Sequence, residues 1–198
     1  QAVHTSRTGD PVMRSMALEF QGHPACGYLD RQYMIGESLL VAPVFQEQGN
    51  AEYYVPAGTW TNYLTGETVQ GGSWRREHHG YLSIPLLVRE NTVLATADAT
   101  ERADASYAEC LLLKVYELNG QAQTAVYQGQ KKVLDVTLVK DADTVTVHSQ
   151  AEYAYRLQFV NADAERVDGS ADEMALGCAD GVVEVGSGVQ ELTIRKGK

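Results

Sequence analysis

Cysteine is scarce in this chain: Cys26, Cys110 and Cys178 are three among 198 residues, widely spaced and odd in number. No CxxC pair occurs, which excludes a zinc knuckle or a dithiol redox motif and favours a reduced, cytoplasmic compartment over a disulfide framework. Long apolar runs are missing as well. No stretch approaches the roughly 18 consecutive apolar residues that a membrane-crossing helix needs, so no membrane partner is expected. Basic residues are outnumbered, 16 Lys and Arg against 26 Asp and Glu, for a formal net charge of −10. That balance opposes nucleic acid and anionic lipid as partners. The acids form no dense block, so they read neither as an acidic tail nor as a calcium site. A phosphate-cradling loop is lacking too, because Gly71-Gly72 has no following helix and no Lys-Ser/Thr pair. The chain opens at Gln1 without a charged leader and apolar segment, and is expected to be a piece of a longer protein.

What is present is mostly the pattern of strands. Ala2 to Thr8 suits the end of a helix, stopped by Gly9 and the turn pair Asp10-Pro11. Val12 to Phe20 then carries bulky apolar residues at both parities, as a strand covered on both faces would. Pro24 to Met34 is compatible with a helix, with Tyr28, Leu29 and Tyr33 spaced along it. Further on, Ser38–Ala42, Glu52–Val55, Thr59–Leu64, Glu67–Gln70, Tyr81–Arg89 and Thr92–Ala95 read as short strands joined by turn residues. Thr65-Gly66 predicts an antiparallel return of the fourth of these on the third. Thr96 to Ser106 has no large apolar residue and is the expected boundary between domains. Beyond it Leu111/Leu113/Val115, Leu134/Val136/Leu138, Val145/Val147 and Tyr155/Leu157/Phe159 each alternate with polar neighbours. Val182–Val185 and Leu192–Ile194 supply closing strands.

Residues able to do chemistry are few in kind. Asp10, Glu19 and Asp30 flank the first apolar run, but sequence spacing does not place any two of them across one glycosidic bond, and they are expected to be surface or capping acids. His78-His79 cannot present both rings on one side of a strand and has no third ligand at useful spacing, so solvent-facing polar residues are expected there. Trp60, Tyr63, Trp74 and Tyr81 have the chemistry to stack on sugar rings. In a half-buried sheet, however, their expected place is the core. No catalytic, cofactor-binding or metal-binding residue is assigned, and no cofactor is implied.

Longer stretches resemble a known family. GDPVMRSMALEF (9–20) followed by HPACGYLDRQYMIGESLLVAPVF (23–45) resembles the end of the catalytic barrel in glycoside hydrolase family 31. EYYVPAGTWTNYLTGETVQGG (52–72) with HHGYLSIPLLVRENTVLA (78–95) resembles that family's proximal C-terminal sandwich, in wording nearest to its α-xylosidase branch. Where the family more typically has Gly-Ser after the arginine, this chain has Glu90-Asn91. The third zone fits the family's distal sandwich by position and β-character.

The resemblance implies a retaining α-glycosidase whose nucleophile and acid/base are aspartates upstream of everything matched here. His4, which precedes the Gly-Asp-Pro turn, is not the family's substrate histidine. Glu19 and Phe20 would lie nearest the active-site rim. The implied fold is mainly β: two consecutive antiparallel β-sandwich domains (37–100 and 101–198) preceded by the last strand and helix of a truncated TIM (β/α)8 barrel (1–36). The implied partners are the missing catalytic barrel of the same protein, carbohydrate substrate through that parent, and a second copy of the chain paired in a homo-oligomer. The expected role of the segment is a non-catalytic scaffold of an α-xylosidase-like hydrolase. The alternative is a stand-alone carbohydrate-binding β-sandwich module, which would need exposed coplanar aromatics on one face.

Overall fold

A computed structural model describes residues 1–97, 106–162, 164–169, 176–179 and 181–196. The first helix lies where its stop signals put it. Helix α1 (Ala2–Thr8) ends at Gly9, whose φ of 84° is open to glycine and whose N–H reaches the Thr5 carbonyl. The chain divides into two units, Gln1–Glu90 and Asn91–Lys198.

After α1, the first unit holds β1 (Met13–Ser15), α2 (Met16–Glu19), a 3₁₀ turn (Pro24–Tyr28), β2 (Tyr33–Ile35), β3 (Leu39–Val41), β4 (Asn50–Val55), β5 (Thr59–Asn62), β6 (Thr68–Gln70), β7 (Ser73–His78) and β8 (Leu86–Arg89). Six of the strands make an antiparallel sheet in the order β1-β2-β3-β8-β5-β6, and β4 pairs with β7 as a separate ribbon. The core they share is built on Trp60, Tyr53, Met16, Met34, Leu40 and Leu87, all fully buried. Trp60 carries a polar N–H into that core and satisfies it on the Pro56 carbonyl at 2.9 Å. The return of β6 on β5 through Thr65-Gly66 is as expected. Gly71 is required at the next turn: a Cβ there would stand 1.8 Å from the Pro56 oxygen.

Two expectations for the opening segment are corrected. The run from Val12 to Phe20 is a strand over only Met13–Ser15, paired antiparallel with β2. Ser15 ends it by turning its hydroxyl onto the Leu18 N–H at 3.3 Å, so the next residues coil into one helical turn with Met16 pointing into the core. The segment Pro24 to Met34 is not one helix. Pro24 opens a short 3₁₀ turn that includes Gly27, a weak helix former, and Tyr33–Ile35 extend because both edges of β2 find partners. Farther on, Tyr81–Arg89 is a strand only over Leu86–Arg89, and Tyr81 and Leu82 stand fully exposed on the preceding loop. Strand β7 has no counterpart in the sequence reading because its burial alternates weakly along SWRREH.

The second unit opens with β9 (Thr92–Ala97), a 3₁₀ turn (Tyr107–Glu109) and β10 (Leu111–Tyr116), followed by β11 (Gln121–Gln128), β12 (Lys131–Asp141), β13 (Thr144–Ala151) and β14 (Tyr155–Phe159). It closes with β15 (Ala164–Gly169), β16 (Leu176–Ala179), β17 (Val182–Val185) and β18 (Glu191–Lys196). Two five-stranded sheets result, β16-β17-β14-β10-β9 and β11-β12-β13-β18-β15. All their pairings are antiparallel except β10 with β14. Their buried faces form one cluster from Leu113, Leu134, Val136, Leu138, Val147, Leu157 and Ile194, as period-two alternation requires.

Thr92–Ala95, expected to complete the first sandwich, belongs instead to the second unit, where β9 pairs along its whole length with β10. The change of unit falls at Glu90-Asn91. Asn91 takes the left-handed φ of 57°, which asparagine tolerates better than most residues. Most of the expected boundary, residues 98–105, lies outside the described residues. No helix among the described residues is long and apolar enough to cross a membrane.

Candidate functional site

The three carboxylates that flank the opening segment are placed apart, each with its own surroundings. Asp10 is exposed and 3.3 Å from His4 Nε2. Glu19 is nearly buried between two arginines: Arg14 Nη1 donates to Oε2 at 3.0 Å and Arg89 Nη1 approaches Oε1 at 3.4 Å. Arg89 also sits over the Phe20 ring, 5.2 Å from its centre. This double clamp ties α2 to β8 and engages both carboxylate oxygens of Glu19. Asp30 is exposed on the loop before β2.

The histidine pair divides. His78 is exposed at the end of β7, but His79 departs from the expected solvent-facing residue and is mostly enclosed. Its Nε2 is 3.2 Å from Glu77 Oε2, and its Nδ1 is 3.1 Å from the Ser83 hydroxyl. Glu77 also accepts from Tyr53 Oη and from Arg75 Nε, each at 2.9 Å. Burial alone would raise the Glu77 carboxyl. The hydrogen bonds from Tyr53, Arg75 and His79 outweigh it and hold the group below its ordinary range. The Tyr53 phenol moves the opposite way, driven up by burial and then by the anionic Glu77. An ionised, fully donated carboxylate suits an anchor for the loop 79–85 and is the opposite of a general acid, which needs a raised pKa. Cys26 is a buried free thiol, raised by desolvation, and Cys110 is also free. Cys178 lies in β16. Among the described residues no group of three or more His, Cys, Asp or Glu gathers in a way that would hold a metal ion.

The aromatic residues are where the sequence reading fails most usefully. Trp60 fills the core, but Trp74 is 57% exposed, Tyr63 is half exposed and Tyr81 is fully exposed. Trp74 lines a groove of about 330 Å³ in the first unit together with Tyr28, Asp30, Arg31, Phe45 and Glu52. Strand alternation puts Glu52 and Trp74 on the same face of the β4–β7 ribbon, since Tyr54 lies directly opposite Trp74 and Arg76 opposite Glu52.

The walls of this groove are pinned. Gln32, almost wholly buried, donates to the Tyr54 carbonyl at 2.8 Å and accepts from the Tyr54 N–H at 2.7 Å, so one side chain satisfies both backbone groups of a strand residue. Tyr54 Oη bonds His23 Nε2 at 3.0 Å, which fixes the start of the 3₁₀ turn that carries Tyr28. The Tyr54 ring meets Trp74 edge-on, with centroids 5.8 Å apart. A larger, shallow concavity of about 600 Å³ on the outer face of β12, β13 and β18 includes Asp135, His148 and Glu191 and has no aromatic lining.

Comparison with known proteins adds identity to this geometry. Residues 9–94 match the family described as Glycosyl hydrolase family 31 C-terminal domain, and residues 106–196 match Alpha-xylosidase YicI, C-terminal domain. The chain is 34% identical over 122 residues to alpha-xylosidase XylQ of Lactiplantibacillus pentosus, a match covering 60% of this chain and 16% of that protein. It is 32% identical over 158 residues to an alpha-xylosidase of Emericella nidulans, covering 73% of this chain and 20% of that one. In fold it is similar to a cycloalternan-forming enzyme from Listeria monocytogenes, with a TM-score of 0.82 at 22% identity over 98% of this chain and 21% of the other. A GH31 alpha-xylosidase from Xanthomonas citri gives 0.71 at 22% identity, over 98% and 22%. The chain thus spans about a fifth of the length of the curated relatives it matches. With two matches that follow one another along nearly its whole length, and with mainly antiparallel sheets throughout, the chain belongs to glycoside hydrolase family 31, in its C-terminal region.

Proposed function

We propose that this chain is the C-terminal scaffold of a retaining α-glycosidase that acts on α-xylosides or related α-glucosides, and that it does no bond-breaking itself. The observation that carries the reading is the succession of two C-terminal family matches, the second of them to an α-xylosidase C-terminal domain. In this reading residues 1–36, whose strands β1 and β2 belong to the antiparallel sheet of the first unit, lie where the chain leaves the catalytic (β/α)8 barrel, and the sheets brace it. Met13 and Leu18 support it: both are large apolar side chains left exposed on the opening segment. Covering what remains exposed of these side chains stabilises an assembly by about 1–2 kcal/mol each. The Tyr81–Leu82 tip is a second apolar surface, offered to the barrel or to another copy in a homo-oligomer, with the Glu77 cluster holding its loop in place.

A retaining mechanism needs a nucleophile and a general acid across one glycosidic bond. The acids here are clamped, hydrogen-bonded or dispersed. The chain alone is therefore expected to release nothing from p-nitrophenyl α-xyloside or α-glucoside. Joined to the upstream four-fifths of an α-xylosidase in place of that enzyme's own C-terminal region, it is expected to support α-xyloside hydrolysis. Turnover by the isolated chain that disappears in Glu19→Gln or Asp30→Asn would refute the scaffold reading, as would a well-folded chimera without activity.

A further inference from the structure

We propose that the groove between the loop 28–32, the loop 43–46 and strand β4 is a binding site for a neutral oligosaccharide. The argument begins with what is exposed. Tyr28, Phe45 and Trp74 are 89%, 67% and 57% exposed, and all three line one concavity. Solvent-facing aromatics scattered singly need no explanation, but three gathered around one groove put exposed apolar surface at a single concavity, as binding sites do. Aromatic rings of this kind can stack on the C–H side of a pyranose ring.

The polar groups are matched to the other side of such a ring. Asp30, Arg31, Gln46 and Glu52 border the same groove, and among the described residues none of their side chains takes part in a hydrogen bond or ion pair. Carboxylates and the amide oxygen accept from sugar hydroxyls, while the guanidinium and the amide N–H groups donate to them. Two acids, one base and an amide can ligate an uncharged ligand rich in vicinal hydroxyls. The acids are poorly matched to a phosphate or another anion, and among the described residues they gather with no third ligand that would make a cation site.

Preorganisation is the third observation. The two hydrogen bonds of Gln32 to Tyr54, the Tyr54–His23 bond and the edge-on packing of Trp74 on Tyr54 hold the walls in place without using the groove's own polar groups. A site whose walls are already ordered loses little conformational freedom on binding. The sugar class rests on the glycosidase reading: α-linked gluco-oligosaccharides and xyloglucan fragments are the ligands to offer. The site itself rests on geometry.

The test is a titration of the 198-residue chain with maltoheptaose, isomaltotriose and a xyloglucan heptasaccharide. It is followed by tryptophan emission and by ¹H–¹⁵N NMR. Trp60 is fully buried and serves as the constant signal, so a change in emission reports Trp74. We expect saturable binding in the millimolar range or tighter, with the Trp74 indole and the amides of residues 28–32 and 45–52 shifting. Trp74→Ala should weaken it at least about tenfold, the factor equivalent to about 1.4 kcal/mol. Asp30→Asn with Glu52→Gln should weaken it several-fold while leaving the melting midpoint in place, and Tyr81→Ser, outside the groove, should change nothing. No shift with any of the three sugars overturns the proposal, and so does binding that survives both Trp74→Ala and Phe45→Ser. Either failure leaves the scaffold reading standing, because that reading is tested by activity of the chimera and not by sugar affinity of this chain.

Discussion

Gln32 is the residue whose replacement tests the physical account of the first unit most directly. It is 5% exposed and spends both ends of its amide on one strand residue, at 2.8 and 2.7 Å. Gln32→Ala leaves the Tyr54 N–H and C=O without that partner in a buried setting. Each unpaired buried backbone group costs about 1–3 kcal/mol, so the pair costs about 2–6 kcal/mol, with the low end reached where water enters the vacated space. In a domain of this size, about 2 kcal/mol lowers the melting midpoint by about 8–16 °C.

Gln32→Glu sharpens the test. A charged carboxylate would still accept from the Tyr54 N–H but would face the Tyr54 carbonyl with no proton to give. Only its protonated form makes both bonds, so the folded pKa of the introduced acid must rise above its unfolded value of about 4.3. The stability of this variant is then full at pH values below about 4.3 and falls as pH climbs through the raised folded pKa. The assays are thermal unfolding between pH 4 and 8 and hydrogen exchange at the Tyr54 amide. An Ala variant that keeps both the wild-type midpoint and the wild-type protection of that amide would refute the reasoning, and so would a Glu variant with no pH dependence beyond that of the parent chain.

Other perturbations have equally definite outcomes. Glu77 is held below its ordinary value of 4.5, so its stabilising bonds are present above that pH and are lost as pH falls through the depressed folded value. Glu77→Gln should flatten this acid limb in a comparison of urea midpoints. Tyr155 is buried in the second unit with Ser149, among the described residues, as the only polar group acting on its hydroxyl, too weakly to count as a full hydrogen bond, and burial pushes the phenol up to about 12 against that small opposing effect. Its contribution is full below the ordinary value of 10.0 and is lost as pH rises from there through about 12; Tyr155→Phe should be neutral or stabilising in a thermal melt at pH 7 and should remove that alkaline loss. Trp60→Ala should cost about 3–5 kcal/mol, because it empties a fully buried site and strands the Pro56 carbonyl. Gly71→Ala should disrupt the turn after β6 far more than Gly80→Ala disrupts its own loop, since the Cβ added at Gly80 meets nothing, and circular dichroism melts will rank them.

Much of the second unit was legible residue by residue. Leu134/Val136/Leu138 and Tyr155/Leu157/Phe159 sit in sheets with one face on the core, where period two in sequence becomes inside and outside in space. The groove was not legible. Asp30 and Trp74 are 44 positions apart and meet only because Gln32 bonds Tyr54 and β4 pairs with β7. A clue did exist: SWRREH alternates a large aromatic with charges in a segment too short and too polar to be core, and an aromatic in such company is a candidate for a surface role.

By itself the sequence determined the class of the protein: mainly β, helix α1 stopped at Gly9, the β5–β6 return, and membership of a hydrolase family through motifs that keep their order along the chain. These are local properties, set by periodicity, turn chemistry and residue identity over ten or so neighbours. Tertiary structure alone decided three other matters. It ended the apolar run from Val12 after Ser15, because β2 pairs with β1 only over Met13–Ser15 and Met16 is taken into the core. It moved Thr92–Ala97 into the second unit, because β10 offered a full antiparallel edge. It left Trp74 in solvent while burying Trp60, since among the described residues β7 pairs only with β4, whereas β5 lies between β8 and β6 inside the six-stranded sheet.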